Sequence, residues 1–255
     1  MSNLSDYQEK LEAIRRIPDE EIQFLYMPLD HYMLEAEGTG TQAQRDKVAL
    51  MKAGTPEYLI DDIAVRVGAC RQAQSNLIDS QHKHNKAEKK WSKRAKAAKK
   101  LHGEIIHGFR FAYRKNPELK SQVDYIAKDH DYADLIQDMN DLATMGKNNS
   151  EPLKAIGFNM DMLDEAARMS DELSELLNLA NGDRWSNNEA KIIRDKAYTY
   201  LKEAVDEVRE CGKYLFWRDE ERLRWYTSEY LRNRRKKDDD IEDSKESEDK
   251  EESED

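Results

Sequence analysis

The stretch that decides the fold is TPEYLIDDIAVRVGACRQAQSNLIDSQHKHNKAEKKWSKRAKAAKKLHGEIIHGFRFA, running from Thr55 to Ala112. Thr55-Pro56-Glu57 is a helix-start signal: a hydroxyl at the N-cap, then proline at the first helical position. No further proline occurs until Pro117. Apolar or small residues recur at spacings of three and four: Leu59, Ile63, Val67, Cys70, Ala73 and Leu77, then Ala87, Trp91, Ala95, Ala98, Leu101, Ile105, Phe109 and Ala112. That period is one face of an α-helix. A single helix of about 60 residues would span about 90 Å, with Asn85 and Gly103 as the places where it could break.

The flanking sequence continues the pattern. Only 10 Gly and 5 Pro stand among 255 residues. So few turn formers exclude a β-sandwich, a propeller or a doubly wound α/β fold, which need a turn signal every ten residues or so. Charged residues are 37% and apolar residues 38%, so the apolar stripes are narrow and the buried seam is thin. Ser150-Glu151-Pro152 opens a second long helix, with Leu153, Ile156, Met160, Leu163, Ala167, Ser170, Ser174 and Leu177 in heptad register. Ala166, Met169, Leu173, Leu176 and Ala180 form a neighbouring stripe, which suits a bundle. Asn181-Gly182-Asp183 reads as its stop. Ser186-Asn187-Asn188-Glu189 reads as the capping box of a third long helix. That helix carries Ala197, Leu201, Ala204, Val208, Cys211 and Leu215 and continues through Phe216, Leu223, Tyr226 and Tyr230. The short link between the last two makes them an antiparallel hairpin. Residues 1–54 hold shorter helices, started at Ser5, Pro18 and Thr41 and broken at Pro28, Gly38-Thr39-Gly40 and Gly54. The expected fold is all-α: an elongated antiparallel bundle or coiled coil of about three long helices over 55–237. A short-helix subregion over 1–54 precedes it, and a disordered acidic tail over 238–255 follows.

Two blocks of charge stand out. Residues 83–100 carry Lys83, Lys86, Lys89, Lys90, Lys93, Arg94, Lys96, Lys99 and Lys100 against one acid, Glu88, a net of +8. Around Trp91 the apolar stripe is thin, so this helix is expected to project into solvent. It is a candidate partner-binding surface for an acidic protein, a nucleic acid or an anionic surface. The plain alternative is a solvated lysine face. Eight lysines to one arginine argue against base reading, so nucleic-acid binding here would be non-specific. From Asp238 to Asp255, 12 acids face Lys245 and Lys250, so this stretch holds −10 of the whole chain's −11. Such a composition does not fold alone. The near-matching charges suggest that the tail could screen the basic helix against anionic partners.

A second candidate surface is aromatic. Trp217 and Trp225 are eight apart, so on one helix they share nearly one face, and Arg218 and Arg224 accompany them. The alternative is packing of these aromatics against residues 1–54.

Signals for chemistry are sparse. Glu104 and His107 have the Glu-x-x-His spacing of di-metal helical bundles, but such a site needs two copies and two further carboxylates, and the chain holds one. There is no phosphate loop, nucleophile elbow or paired Cys-x-x-Cys. Cys70 and Cys211 lie on apolar stripes and read as small buried hydrophobes. No export signal or membrane-spanning run is visible, which leads to a cytoplasmic expectation. The leading expectation is a non-catalytic helical interaction or scaffold protein with no cofactor, docking a protein partner. Non-specific nucleic-acid binding stands second and a di-metal enzyme around Glu104 and His107 third. The two adjacent stripes could be satisfied within one chain or in a homo-oligomer.

Overall fold

The computed structural model describes residues 2–128 and 132–236. Among these residues the chain is α-helical, with two short 3₁₀ turns and no strand. In chain order the helices are α1 (Asn3–Arg16), α2 (Leu29–Arg45), α3 (Lys47–Lys52), α4 (Glu57–Ala112), α5 (Pro117–Ile126), α6 (Tyr132–Asn148), α7 (Ser150–Ala155), α8 (Asp161–Leu215) and α9 (Glu220–Leu223). Residues 229–236 are also helical. The acidic stretch 238–255 and Asp129-His130-Asp131 lie outside the described residues. The chain divides into two compact units. The terminal unit takes the residues up to Ile78 and from Glu189 onward; the middle unit is Asp79–Asn188. Both division points fall inside long helices, where no proline or turn marks them.

In the terminal unit, α1 is capped by Ser2 and Ser5 reciprocally, three residues before the start read in the sequence. Pro18 opens only a 3₁₀ turn, Asp19–Glu21. Gly38-Thr39-Gly40 does not break α2. A Cβ at Gly40 would lie 2.8 Å from Ile63 and one at Gly38 would lie 3.1 Å from Trp225, so these glycines let neighbours approach a continuous helix. Gly54 ends this region as expected, at φ +111°. Pro56 directly precedes α4, while the buried Thr55 hydroxyl, expected as its cap, makes no hydrogen bond. Here α4 and α8 run antiparallel. Arg66 donates to the Tyr200 carbonyl at 2.5 Å and lies 3.6 Å over the Tyr200 ring, while Arg194 reaches Gln74. Ile60, Ile63 and Val67 of α4 join Tyr198, Leu201 and Val205 of α8 in one core with Tyr32 of α2. Each of the aliphatic side chains contributes about 1.5–3 kcal/mol on burial.

In the middle unit α4 continues without a break at Asn85 or Gly103. Trp91, Ala95, Ala98, Ile105 and Phe109 are buried against Leu142 of α6, Leu153 of α7 and Leu163, Ala166 and Leu173 of α8. Gly157, at φ +69°, ends α7 early, and the Asn159 side chain then accepts the Asp161 N–H at the head of α8. The helix expected from Ser150 therefore starts at Asp161. The larger correction concerns its end. Asn181-Gly182-Asp183 does not stop α8, which runs unbroken to Leu215. The expected hairpin is absent, and two long helices, α4 and α8, carry the fold. A glycine inside a helix costs about 1 kcal/mol. That penalty is small, and no residue there takes a left-handed φ; the nearest buried residues of α8 on either side are Leu173 and Lys196. The chain does turn after Leu215, so Phe216 to Tyr230 do not prolong α8 as the sequence suggested.

Candidate functional site

Two surfaces were picked out in the sequence, one in each unit. In the middle unit, 3.6 residues per turn place Lys86, Lys89, Lys90, Lys93, Lys96 and Lys100 within an arc of about 120° on α4. Trp91, Ala95 and Ala98 occupy the opposite side of the helix, and all three are buried. All six lysines are exposed. This stretch does not stand clear of the fold as expected: one side of it is packed. Trp91, taken in the sequence as part of the partner surface, is only 6% exposed and belongs to the core. Arg94, on the flank between the two sides, is held by Glu172 at 2.6 Å and Glu165 at 3.7 Å, both on α8.

The other charges at the edges of the row are also engaged. Lys83 pairs with Asp79 at 2.8 Å, and that hydrogen bond holds its ammonium pKa above the usual lysine value. Lys100 pairs with Glu104 at 3.8 Å. Lys99 lies off the row, and so does Glu88, the one acid of the block, which reaches His84. No ion pair engages Lys86, Lys89, Lys90, Lys93 or Lys96 among the described residues. Over the whole middle unit acidic and basic residues are equal in number, 18 of each. The row is thus the basic side of a neutral unit.

Glu104 and His107 are both exposed on the solvent side of α4, while Ile105 and Ile106 take the buried side. A di-metal bundle site needs inward carboxylates, and this pair does not face inward. No group of three or more His, Cys, Asp or Glu is placed to hold a metal ion among the described residues.

In the terminal unit, the turn after Leu215 separates the two tryptophans that the sequence put on one helical face. Trp217, 62% exposed, is stacked under the Arg218 guanidinium at 4.2 Å. Trp225, 48% exposed, sits in the 3₁₀ turn Arg224–Tyr226 with its ring against Gly38. Arg224 and Trp225 line a cleft of about 920 Å³ between α2 and the segment that returns after α8, without Trp217 or Arg218. Its wall carries four acids, Glu35, Glu37, Glu221 and Glu229, against Arg209, Arg224, Arg232 and Lys236. That balance gives the cleft no strong preference for ligand charge.

Sequence reasoning missed what holds this cleft together. The Glu35 carboxylate accepts from Arg209 at 3.0 Å, from the Ser228 hydroxyl at 3.2 Å and from the Tyr230 N–H at 2.9 Å. Thr39 donates to the Trp225 carbonyl at 2.8 Å. Asp46, buried, accepts from the Tyr226 hydroxyl at 2.9 Å and from Gln42 at 2.8 Å. Burial pushes the Tyr226 phenol far above its ordinary range, reinforced by this carboxylate. The Gly-x-Gly of α2 is the one sequence sign of the approach. No helix among the described residues is long and apolar enough to cross a membrane. Comparison with known proteins finds no matching family model, no matching curated protein and no matching solved structure.

Proposed function

We propose that this chain is a non-catalytic helical interaction protein of the cytoplasm that docks a macromolecular partner through the lysine row of α4. One observation carries the reading. The row is exposed and, among the described residues, Lys86, Lys89, Lys90, Lys93 and Lys96 have no ion pair, while the opposite side of the same helix is fixed by buried Trp91, Ala95 and Ala98. The packed side fixes the backbone under this face, so ordering on binding falls on the lysine side chains alone. The aromatic–arginine cleft of the terminal unit, with Arg224 and Trp225, is a second contact in this reading. Its pre-set Trp225 ring has the character of an interface anchor.

A polyanionic resin tests it. The protein carries −11 overall, so it binds phosphocellulose only if a local basic face is available. Full-length protein is expected to be retained and to elute with salt, and Lys86→Glu/Lys90→Glu/Lys93→Glu to pass straight through. Co-elution of the two in the flow-through contradicts the reading.

A further inference from the structure

We infer that the partner of the lysine row is a nucleic acid, held by its sugar–phosphate backbone without reading of sequence. This rests on the docking reading above and names the chemistry of the partner. Ten residues separate Lys86 from Lys96, about 15 Å along the helix. Five ammonium groups over that length give a charge every ~4 Å of helix axis, a linear charge density comparable to the one phosphate per about 3.4 Å that each strand contributes along a duplex axis. The row is also self-repelling. Lys86–Lys89, Lys86–Lys90, Lys89–Lys93, Lys90–Lys93 and Lys93–Lys96 are all like-charge neighbours at three or four residues, and Glu88 lies off the arc. A polyanion laid along the row relieves that repulsion and releases its own counterions.

The composition of the face separates this partner from the other anionic ones. Apart from Ala97 the row holds no apolar residue, and it holds no aromatic or arginine. Protein interfaces are enriched in aromatics, Met and Arg and depleted in Lys. Membrane-surface helices pair their lysines with an apolar side that enters the lipid. On α4 that side is closed inside the unit by Trp91, Ala95 and Ala98. Lysine lacks the planar fork by which arginine grips guanine. Backbone neutralisation is what remains, and the binding is indifferent to sequence.

The test is a fluorescence-anisotropy titration of full-length protein with labelled 20-base-pair duplexes of two unrelated sequences and a 20-nucleotide single strand, at several salt concentrations between about 50 and 200 mM. The two duplexes are expected to bind within about twofold of each other. Five phosphate contacts predict a log–log salt slope of about −4.5 on duplex and about −3.5 on single strand. Lys86→Gln/Lys90→Gln/Lys93→Gln, checked for native helicity by circular dichroism, is expected to flatten the duplex slope to about −2. Phosphatidylserine vesicles and poly-glutamate serve as parallel probes. Absence of nucleic-acid binding at about 50 mM salt, or binding that the triple variant leaves unchanged, overturns the inference. If vesicles or poly-glutamate bind through the row and nucleic acids do not, the inference falls and the docking reading stands. If no probe binds, both fall.

Discussion

The Glu35 carboxylate accepts hydrogen bonds from three places far apart in the sequence: a guanidinium of α8, a serine hydroxyl and the backbone of residues 229–236. Breaking a buried pair strands the other charge, and Arg209 is buried. Glu35→Ala is expected to cost about 3 kcal/mol in urea denaturation and to open Arg232 and Arg235 to trypsin. A wild-type digestion rate there contradicts the clamp. Gly212 is a second sensitive point. Alanine in its place gains about 1 kcal/mol of helix propensity. Its Cβ, however, would lie 2.2 Å from the buried Tyr226 ring, which is stacked on Phe216 and tied to Asp46. Overpacking of that kind costs about 1–3 kcal/mol or more, so Gly212→Ala is expected to destabilise. At Cys70 burial pushes the thiol up to about 12 from 9.0. The folded state thus holds the proton more tightly than the unfolded one. This group's contribution to stability is full below about pH 9 and is lost as pH rises toward 12. Cys70 is expected to resist thiol reagents at pH 8 until the protein is denatured; prompt native labelling contradicts its burial.

At the level of elements, α8 is where sequence and structure part most clearly, and Gly182 decides between them. Nothing lies within 4 Å of a Cβ built there. In a continuous helix Gly182→Ala is expected to stabilise by up to about 1 kcal/mol. If Asn181-Gly182-Asp183 were a helix end, the same change would destabilise it, because glycine is favoured there for its left-handed φ. The start of α4 was legible because proline is tolerated at the first turn and nowhere further in. The lysine row was legible because charge and helical period are both local. Continuity of α8 was not, since capping-type residues in mid-helix carry the same letters as true caps, and no buried residue lies between Leu173 and Lys196 to mark the stretch as helix interior. The partition of Trp217 from Trp225 was hidden for a related reason. The segment beyond that turn is held by long-range bonds of Trp225, Tyr226, Ser228 and Tyr230 to Thr39, Asp46 and Glu35, which no local pattern announces.

Over the whole molecule, the charge distribution governs how an anionic partner meets the protein. The chain's net charge of −11 lies almost wholly in residues 238–255, and the middle unit is neutral with its basic side on α4. At physiological salt, charges act over about 8 Å, so the net charge does not preclude the proposed binding by the row, while the acidic stretch is expected to slow approach at low salt. A chain ending at Lys237 is expected to bind duplex DNA several-fold more tightly at about 50 mM salt, with the advantage shrinking toward 200 mM. Equal affinity at all salt concentrations removes any part for the acidic stretch. The most direct check of the row itself is lysine acylation read by mass spectrometry, with and without saturating duplex DNA. Lys86, Lys89, Lys90, Lys93 and Lys96 are expected to label readily in the free protein and to be protected together in the complex. Labelling of these five that is unchanged by DNA contradicts nucleic-acid binding by the row.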